Sequence, residues 1–246
     1  MKQKVLEYLS ITFVISWSCW LLLAFLIRFA GVALFSPIGL PLYSLGTAAP
    51  LIGAWIVKRK SGEGTAFLKQ IIALKQPVTG YLLVIIFAWG FCFLPILLGD
   101  NEQQAPFYTA LFQLPIMIFF GGGLEEPGWR GYLLPLLQKK YSSFQATCIL
   151  AIIWTSWHLP LWLVKGSGQD TTSLAGFTIC VFSLAFLLTI LWNRYESPAL
   201  CILLHAGINA FGDVYPPSFN QLSSSIVLLL ICLLLFLGDH YLKQRS

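Results

Sequence analysis

Long apolar runs follow one another along this chain, and one of them contains two adjacent carboxylates and an arginine. The stretch Gly121–Pro135 reads G-G-G-L-E-E-P-G-W-R-G-Y-L-L-P, between the apolar Leu111–Phe120 and another apolar run that starts at Phe144. Runs of about 20 apolar residues are read as membrane-crossing helices. An ionisable group at that depth costs roughly 2.5–3.5 kcal/mol on insertion scales, so it usually faces a protein interior or a watery cavity and marks function. Glu125, Glu126 and Arg130 are therefore the first candidate site residues.

The composition agrees: 57% of the 246 residues are hydrophobic and 10% charged, against about a quarter charged in soluble domains. The expected class is an all-α polytopic membrane protein. Residues 1–246 form a single integral-membrane domain, with a motif-bearing core at about 106–215 and no linker, repeat or low-complexity tract. The net charge of +5 does not call for a nucleic-acid partner, because the basic residues lie in loops between apolar runs and read as topology determinants. Six cysteines sit singly inside apolar runs, a pattern of small buried hydrophobes rather than a disulfide framework or zinc knuckle.

About eight spans are expected. They cover Val5–Phe29, Ile38–Val57, Val78–Leu98, Pro106 to Lys139-Lys140, Phe144–Val164, Leu174–Trp192, Ser197–Phe211 and Ile226–Leu237. The fourth is too long for one straight span, so Gly121–Gly123 or Pro127 is expected to bend it. Ser61–Pro77 reads as a short amphipathic helix at the interface. With both termini inside, the cytoplasmic side collects Lys2, Lys4, Lys58, Arg59, Lys60, Lys69, Lys75, Lys139, Lys140, Arg194, Lys243 and Arg245, and the outside keeps Lys165. That asymmetry follows the positive-inside rule and favours an even span count. An acidic loop at Asp100 and Glu102 and a turn at Pro216-Pro217 would then face outward.

Three spans carry unusual polar groups: Glu125, Glu126 and Arg130 in the fourth, His158 in the fifth, and His205 with Asn209 in the seventh. Residues four apart share a helix face, so His205 and Asn209 point together, as do Glu126 and Arg130 where the helix is regular. Pro127 disfavours helical geometry at the residue before it, which counts against the Glu126–Arg130 pair. Each group has a structural reading as an ion pair, a satisfied histidine or interhelical glue. Together they are parts for activating a water and steadying an oxyanion. Other intramembrane protease chemistries fit poorly. H-E-x-x-H is absent, Gly212-Asp213 lacks the glycine of a G-x-G-D motif, and no serine has a G-x-S setting. A thiol nucleophile at Cys201 is a minor alternative.

Glu125-Glu126-x-x-x-Arg130, Trp154 four before His158, and His205-x-x-x-Asn209 resemble the three motifs of the type II CAAX prenyl endopeptidase and bacteriocin-processing family, also called Abi. W-R-G-Y-L-L-P and W-H-L-P are similar in their flanks. The resemblance is densest over Gly121–Gly212, and the amino-terminal spans match in hydropathy alone. It implies an eight-helix intramembrane endopeptidase with its site between the fourth, fifth and seventh helices. Glu125 and His158 would activate water, His205 and Asn209 would hold the oxyanion, and Glu126 and Arg130 would support the site. Trp154 stands where the family usually has phenylalanine.

The expected function is hydrolysis of a peptide bond in a membrane-associated or lipidated peptide or protein, with membrane lipid as the other partner. Alternatives are a non-proteolytic bacteriocin immunity protein and, from another class, a small proton-coupled transporter; the latter lacks an evident inverted repeat. A divalent metal such as zinc, held by Glu125, His158 and His205, is compatible with a three-ligand catalytic site, and metal-free attack by water is preferred. The expected location is a bacterial plasma membrane.

Overall fold

The computed structural model describes residues 2–99, 103–212, 214 and 222–243. The acidic Asp100 and Glu102, Asp213, the turn at Pro216-Pro217 and Arg245 lie outside the described residues. Every regular element among those described is helical: α1 Lys2–Ala30, α2 Gly39–Lys60, α3 Gly64–Ile71, α4 Val78–Leu97 and α5 Thr109–Phe120. A 3-10 turn at Gly123–Glu125 leads into α6 Glu126–Gly128, a π turn Trp129–Leu133 and α7 Leu134–Gln138. Then follow α8 Ser143–Trp157 with a 3-10 extension Leu159–Leu163, α9 Leu174–Tyr195, α10 Pro198–Gly212 and α11 Leu222–Lys243. Of the stretch Ser61–Pro77, expected to form a short helix, Gly64–Ile71 is helical as α3.

Six of these helices are long and apolar enough to cross a membrane. Two of the eight expected spans are not among these six, for physical reasons. The fourth is broken as expected: α5 ends at Phe120, Gly122 turns left-handed at φ 100°, and Pro127 stands in the first turn of α6. The seventh, α10, has 15 residues, so at 1.5 Å per residue it is only about 22 Å long. Its sides are almost entirely buried by other helices, so lipid thickness does not set its length.

Local chemistry fixes several helix ends. Ser142 and Gln145 form a reciprocal capping box on α8, and the Ser173 hydroxyl accepts from Gly176 N at the start of α9. Pro50 lies inside α2 and cannot supply the amide that Gly46 O would normally accept. Ser16 of α1 takes its place, its hydroxyl donating to Gly46 O at 2.8 Å. Trp157 Nε1 in turn donates to Ser16 Oγ at 2.7 Å, and Trp17 Nε1 donates to Trp157 O at 3.1 Å. These bonds tie α1, α2 and the end of α8 together in a medium where an unmet backbone carbonyl is costly.

Contacts between helix ends show which termini share a side. Lys60 at the end of α2 pairs with Glu7 of α1, and Arg194 at the end of α9 pairs with Asp239 of α11. Gln138 after α7 donates to Asn193 of α9, and Tyr195 OH donates to Thr79 at the start of α4. Lys2, Lys4, Lys58, Arg59, Lys139, Lys140 and Arg194 belong to the helix ends and loops on this one side. The opposite end carries Arg28, Lys165 and the start of α5, where Gln104 N donates to Val214 O. The chain alternates between the two ends, so α1 begins and α11 finishes on the basic one.

Candidate active site

The break in the fourth span brings the two glutamates into different surroundings. Glu125 closes the 3-10 turn and faces a cavity of about 360 Å³ between helices, also lined by His158, His205 and Asn209. Glu126 begins α6 and turns away from it. Glu126 and Arg130 are both fully buried, against 4% exposure for Glu125, 7% for His158 and 5% for His205. Six candidate residues from three spans thus converge, four at the cavity and two behind it.

Glu126 organises the rear layer. Arg130 Nη1 donates to its Oε1 at 3.0 Å, and His205 Nδ1 donates to the same oxygen at 2.8 Å. The expected weakening of the pair by Pro127 does not occur. Glu126 keeps helical dihedrals, φ −62° and ψ −36°, and Pro127 stands in the first turn of α6, where the missing amide is no loss. The guanidinium also lies 4.2 Å from the centre of the Trp154 ring, a cation–π contact. Among the described residues, Glu126 Oε2 and Arg130 Nε and Nη2 meet no protein partner. The pair is thus a buried ion pair with part of its hydrogen-bonding capacity unmet, which is weak evidence of a stabilising role.

Trp154 connects the front layer. Its indole Nε1 donates to Glu125 Oε2 at 2.7 Å, and its backbone carbonyl accepts from His158 Nδ1 at 2.8 Å. A carbonyl can only accept, so the proton of a neutral His158 sits on Nδ1 and its Nε2 keeps a free lone pair. Aromatic edges hold the imidazole: Trp157 lies 4.6 Å and Phe177 5.0 Å from it, at interplanar angles of 81° and 67°. A phenylalanine at position 154 has no N–H to give Glu125. The sequence marks Trp154 as an aromatic beside a motif, and nothing in the pattern announces its second role as a donor.

Asn209 lies one turn beyond His205 on α10, as the spacing predicts. Its Nδ2 donates to Gly121 O at 2.6 Å, leaving the second amide hydrogen available. Gly122 must be glycine for two reasons. Its φ of 100° is left-handed, and a Cβ there would lie 2.5 Å from His205 Nε2 and 3.2 Å from Asn209 Nδ2. Behind the site, a Cβ on Gly128 would lie 2.3 Å from Pro50 O, so α6 presses directly on the backbone of α2.

The remaining candidates fall elsewhere. Cys201 is buried with its sulfur 3.9 Å from Leu188 O, on the α9 side and not in the cavity lining. All six cysteines are free thiols. His240 is exposed on α11. As ligands for a metal, Glu125, His158 and His205 fit poorly: among the described residues no three His, Cys, Asp or Glu side chains are grouped to hold an ion. Nδ1 of each imidazole is bonded to the protein, which leaves Nε2 of both and the other Glu125 oxygen uncommitted.

Residues 107–211 match the family described as Type II CAAX prenyl endopeptidase Rce1-like. Along most of its length the chain is also similar to "CAAX prenyl protease 2" of Methanococcus maripaludis. That relative is 28% identical over 224 residues, a span covering 82% of this chain and 81% of the relative. The family match takes in every motif residue from Glu125 to Asn209, while the relative extends the likeness beyond it. On these two likenesses, carried by a helical membrane bundle, residues 107–211 are an Rce1-like type II CAAX prenyl endopeptidase domain by similarity, and the class of activity they support is that of a peptidase.

Proposed function

We propose that this chain is an intramembrane endopeptidase that hydrolyses a peptide bond of a membrane-associated or lipidated substrate with a water activated by Glu125 and His158. The observation that carries the reading is the division of labour at the broken span. Glu125, His158, His205 and Asn209 line one cavity, while Glu126 and Arg130 lie sealed behind it.

The steps follow from which atoms are committed. A water in the cavity gives a proton to the Glu125 carboxylate, assisted by the free Nε2 of His158. Its oxygen attacks the scissile carbonyl, whose electron pair moves onto oxygen. The oxyanion accepts from the second Asn209 amide hydrogen and from Nε2 of a protonated His205. Glu126, bonded to Nδ1 of His205, supports that imidazolium much as the aspartate of a Ser-His-Asp triad supports its histidine. On collapse, the C–N bond breaks and the proton held by Glu125 passes to the leaving amine.

Glu125→Gln keeps size and shape but removes the base, so turnover falls by about 10²–10⁴-fold without loss of thermal stability. His205→Ala and Asn209→Ala lower turnover by roughly 10²–10³-fold each, with substrate still bound. The measurement is mass spectrometry of peptides released from membranes, beside melting curves of the purified variants. A fully active Glu125→Gln, or one inactive only because it unfolds, would favour the immunity-protein reading instead.

A further inference from the structure

Helices α1 and α2 lie outside residues 107–211, the stretch that matches the family, yet they supply part of the cavity wall. Trp20 of α1 and Tyr43 and Thr47 of α2 line it together with Glu125. Close packing fixes this part of the wall. Trp20 Nε1 donates to Tyr43 O at 3.2 Å, and the Trp20 ring lies 4.6 Å from that of Trp157, the neighbour of His158. Gly46 makes room for the indole, since a Cβ there would lie 2.1 Å from Trp20 Nε1.

The face of α2 that carries Tyr43 runs along the broken span. Thr47 is one turn and Pro50 two turns further on, and Pro50 is the residue pressed against Gly128. At 1.5 Å per residue, Tyr43 stands about 10 Å along the helix from that contact, on the cavity side. Helices α2 and α10 both pack on the turn Gly123–Glu125, so Tyr43 approaches the site from a different helix than His205 and Asn209 do. Its phenol is near enough to Glu125 for the two to interact electrostatically.

The hydroxyls of the lining differ in what they can offer. Thr47 donates to Ser44 O at 2.9 Å, Ser167 to Leu161 O at 2.9 Å and Thr172 to Gly168 O at 2.7 Å. Ser224 and Ser225 have partners as well. Among the described residues that leaves the hydroxyl of Tyr43, a half-buried side chain in the wall, without a hydrogen bond to protein. A tyrosine O–H inside a protein usually finds a partner, and here the partner has to come from what enters the cavity. A phenol is a neutral donor, which suits a neutral carbonyl oxygen. The Glu125 charge nearby disfavours a carboxylate in the same place.

We infer that Tyr43 is a substrate-binding residue, whose hydroxyl donates to a backbone carbonyl of the peptide beside the scissile bond and holds the chain between α2 and α10. This rests on the peptidase reading and adds to it a substrate contact from outside the family-matched segment.

Two measurements on the purified full chain test it. In the first, Tyr43→Phe and the parent are given a lipidated, internally quenched peptide. The substitution keeps the ring and removes one O–H, so the melting temperature stays as it was. KM rises about 2–10-fold, the effect of one hydrogen bond, and by more than kcat falls. Unchanged kinetics overturn the proposal. A fall in kcat at constant KM also does, because it puts the hydroxyl on the reacting atoms, and a lowered melting temperature does because it gives the hydroxyl a structural role. In the second, each carbonyl near the scissile bond is replaced in turn by a thioamide, a weaker acceptor. Binding of these peptides to Glu125→Gln and to Glu125→Gln/Tyr43→Phe is followed by fluorescence anisotropy. The expected result is one position where the thioamide weakens binding to the first protein and not to the second. The same profile for both, or no binding to either, overturns the proposal. If the parent chain binds the peptide without cleaving it, the peptidase reading fails, while the anisotropy series still decides whether Tyr43 grips a peptide.

Discussion

Glu125 and Glu126 are neighbours in sequence but belong to unlike halves of the bundle. On Glu125's side helices diverge around a cavity edged with hydroxyls and imidazoles. On Glu126's side Trp129, Leu133 and Leu134 are fully buried and helices touch at backbone distance, as Gly128 does against Pro50. The proposed mechanism accordingly gives the same charged group two jobs. Beside the cavity a carboxylate can meet water and exchange a proton. In the solid half its exchange partners are gone, and it becomes a fixed acceptor that aims Arg130 and His205. An abrupt change of environment between adjacent residues requires a break in the helix, and the left-handed Gly122 with the 3-10 turn supplies it.

The contrast can be broken by mutation, and the largest expected effect is the loss of turnover in Glu125→Gln described above, with stability intact. Arg130→Ala should do the opposite first. It strands the Glu126 charge in the solid half, which costs roughly 3–5 kcal/mol of stability, and turnover falls with it because His205 loses its fixed partner. Chemical or thermal unfolding in detergent reads the difference; equal stability of Arg130→Ala and the parent would mean that the rear layer is wet. Gly122→Ala lies at the boundary. A non-glycine residue held in this strained region costs about 1–3 kcal/mol, and its methyl group displaces His205, so turnover drops further than stability does. Retained activity in that variant would show that His205 need not occupy its observed position.

Smaller effects sharpen the picture of the hollow half. Trp154→Phe retains a ring under Arg130 but deprives Glu125 of its N–H donor. A hydrogen bond to a charged group is worth roughly 1.5–3 kcal/mol net, and exposure of Glu125 to the cavity should bring the observed loss to the low end of that range. A pH–rate profile of Trp154→Phe that superimposes on the parent's would mean the indole does not act on the base. The smallest expected change is none: removal of divalent metal by a chelator leaves turnover as it was, since among the described residues no three ligand side chains are grouped closely enough to hold an ion. Loss of activity on chelation, with recovery on adding zinc, would mean that Glu125, His158 and His205 close on an ion during turnover.

The large features were legible in the sequence because they rest on solvent chemistry. Apolar runs must become helices in lipid, so all eight spans appear as helical stretches, and the glycine break falls within Gly121–Gly123 as read. The motif residues were legible because charge in oil is conspicuous. Less visible were contacts set by tertiary direction. The proline rule argued against helical geometry at Glu126, yet the first-turn position of Pro127 reversed its sign. Trp154 looked like a bulky substitute for phenylalanine, and its role depends on where its indole points. Ser16, Trp17 and Trp157 are indistinguishable from ordinary apolar-span residues in the sequence, because the carbonyl that Ser16 serves was freed by a proline on another helix.

That last tie bears on how the protein is made. Trp157, whose neighbour His158 faces the cavity, is bonded to Ser16 across 141 residues of chain. At a synthesis rate of 5–20 residues per second, α1 waits on the order of ten seconds for that partner to emerge. Until then α1 and α2 can hold together through their own bonds, Ser16 to Gly46 O, Trp20 to Tyr43 O and Lys60 to Glu7, and His205 follows later still. A half-made chain in the membrane therefore has its carboxylates before it has either imidazole. A protease assembled in this order stays inert during its own insertion, beside the other nascent proteins that share the translocation machinery.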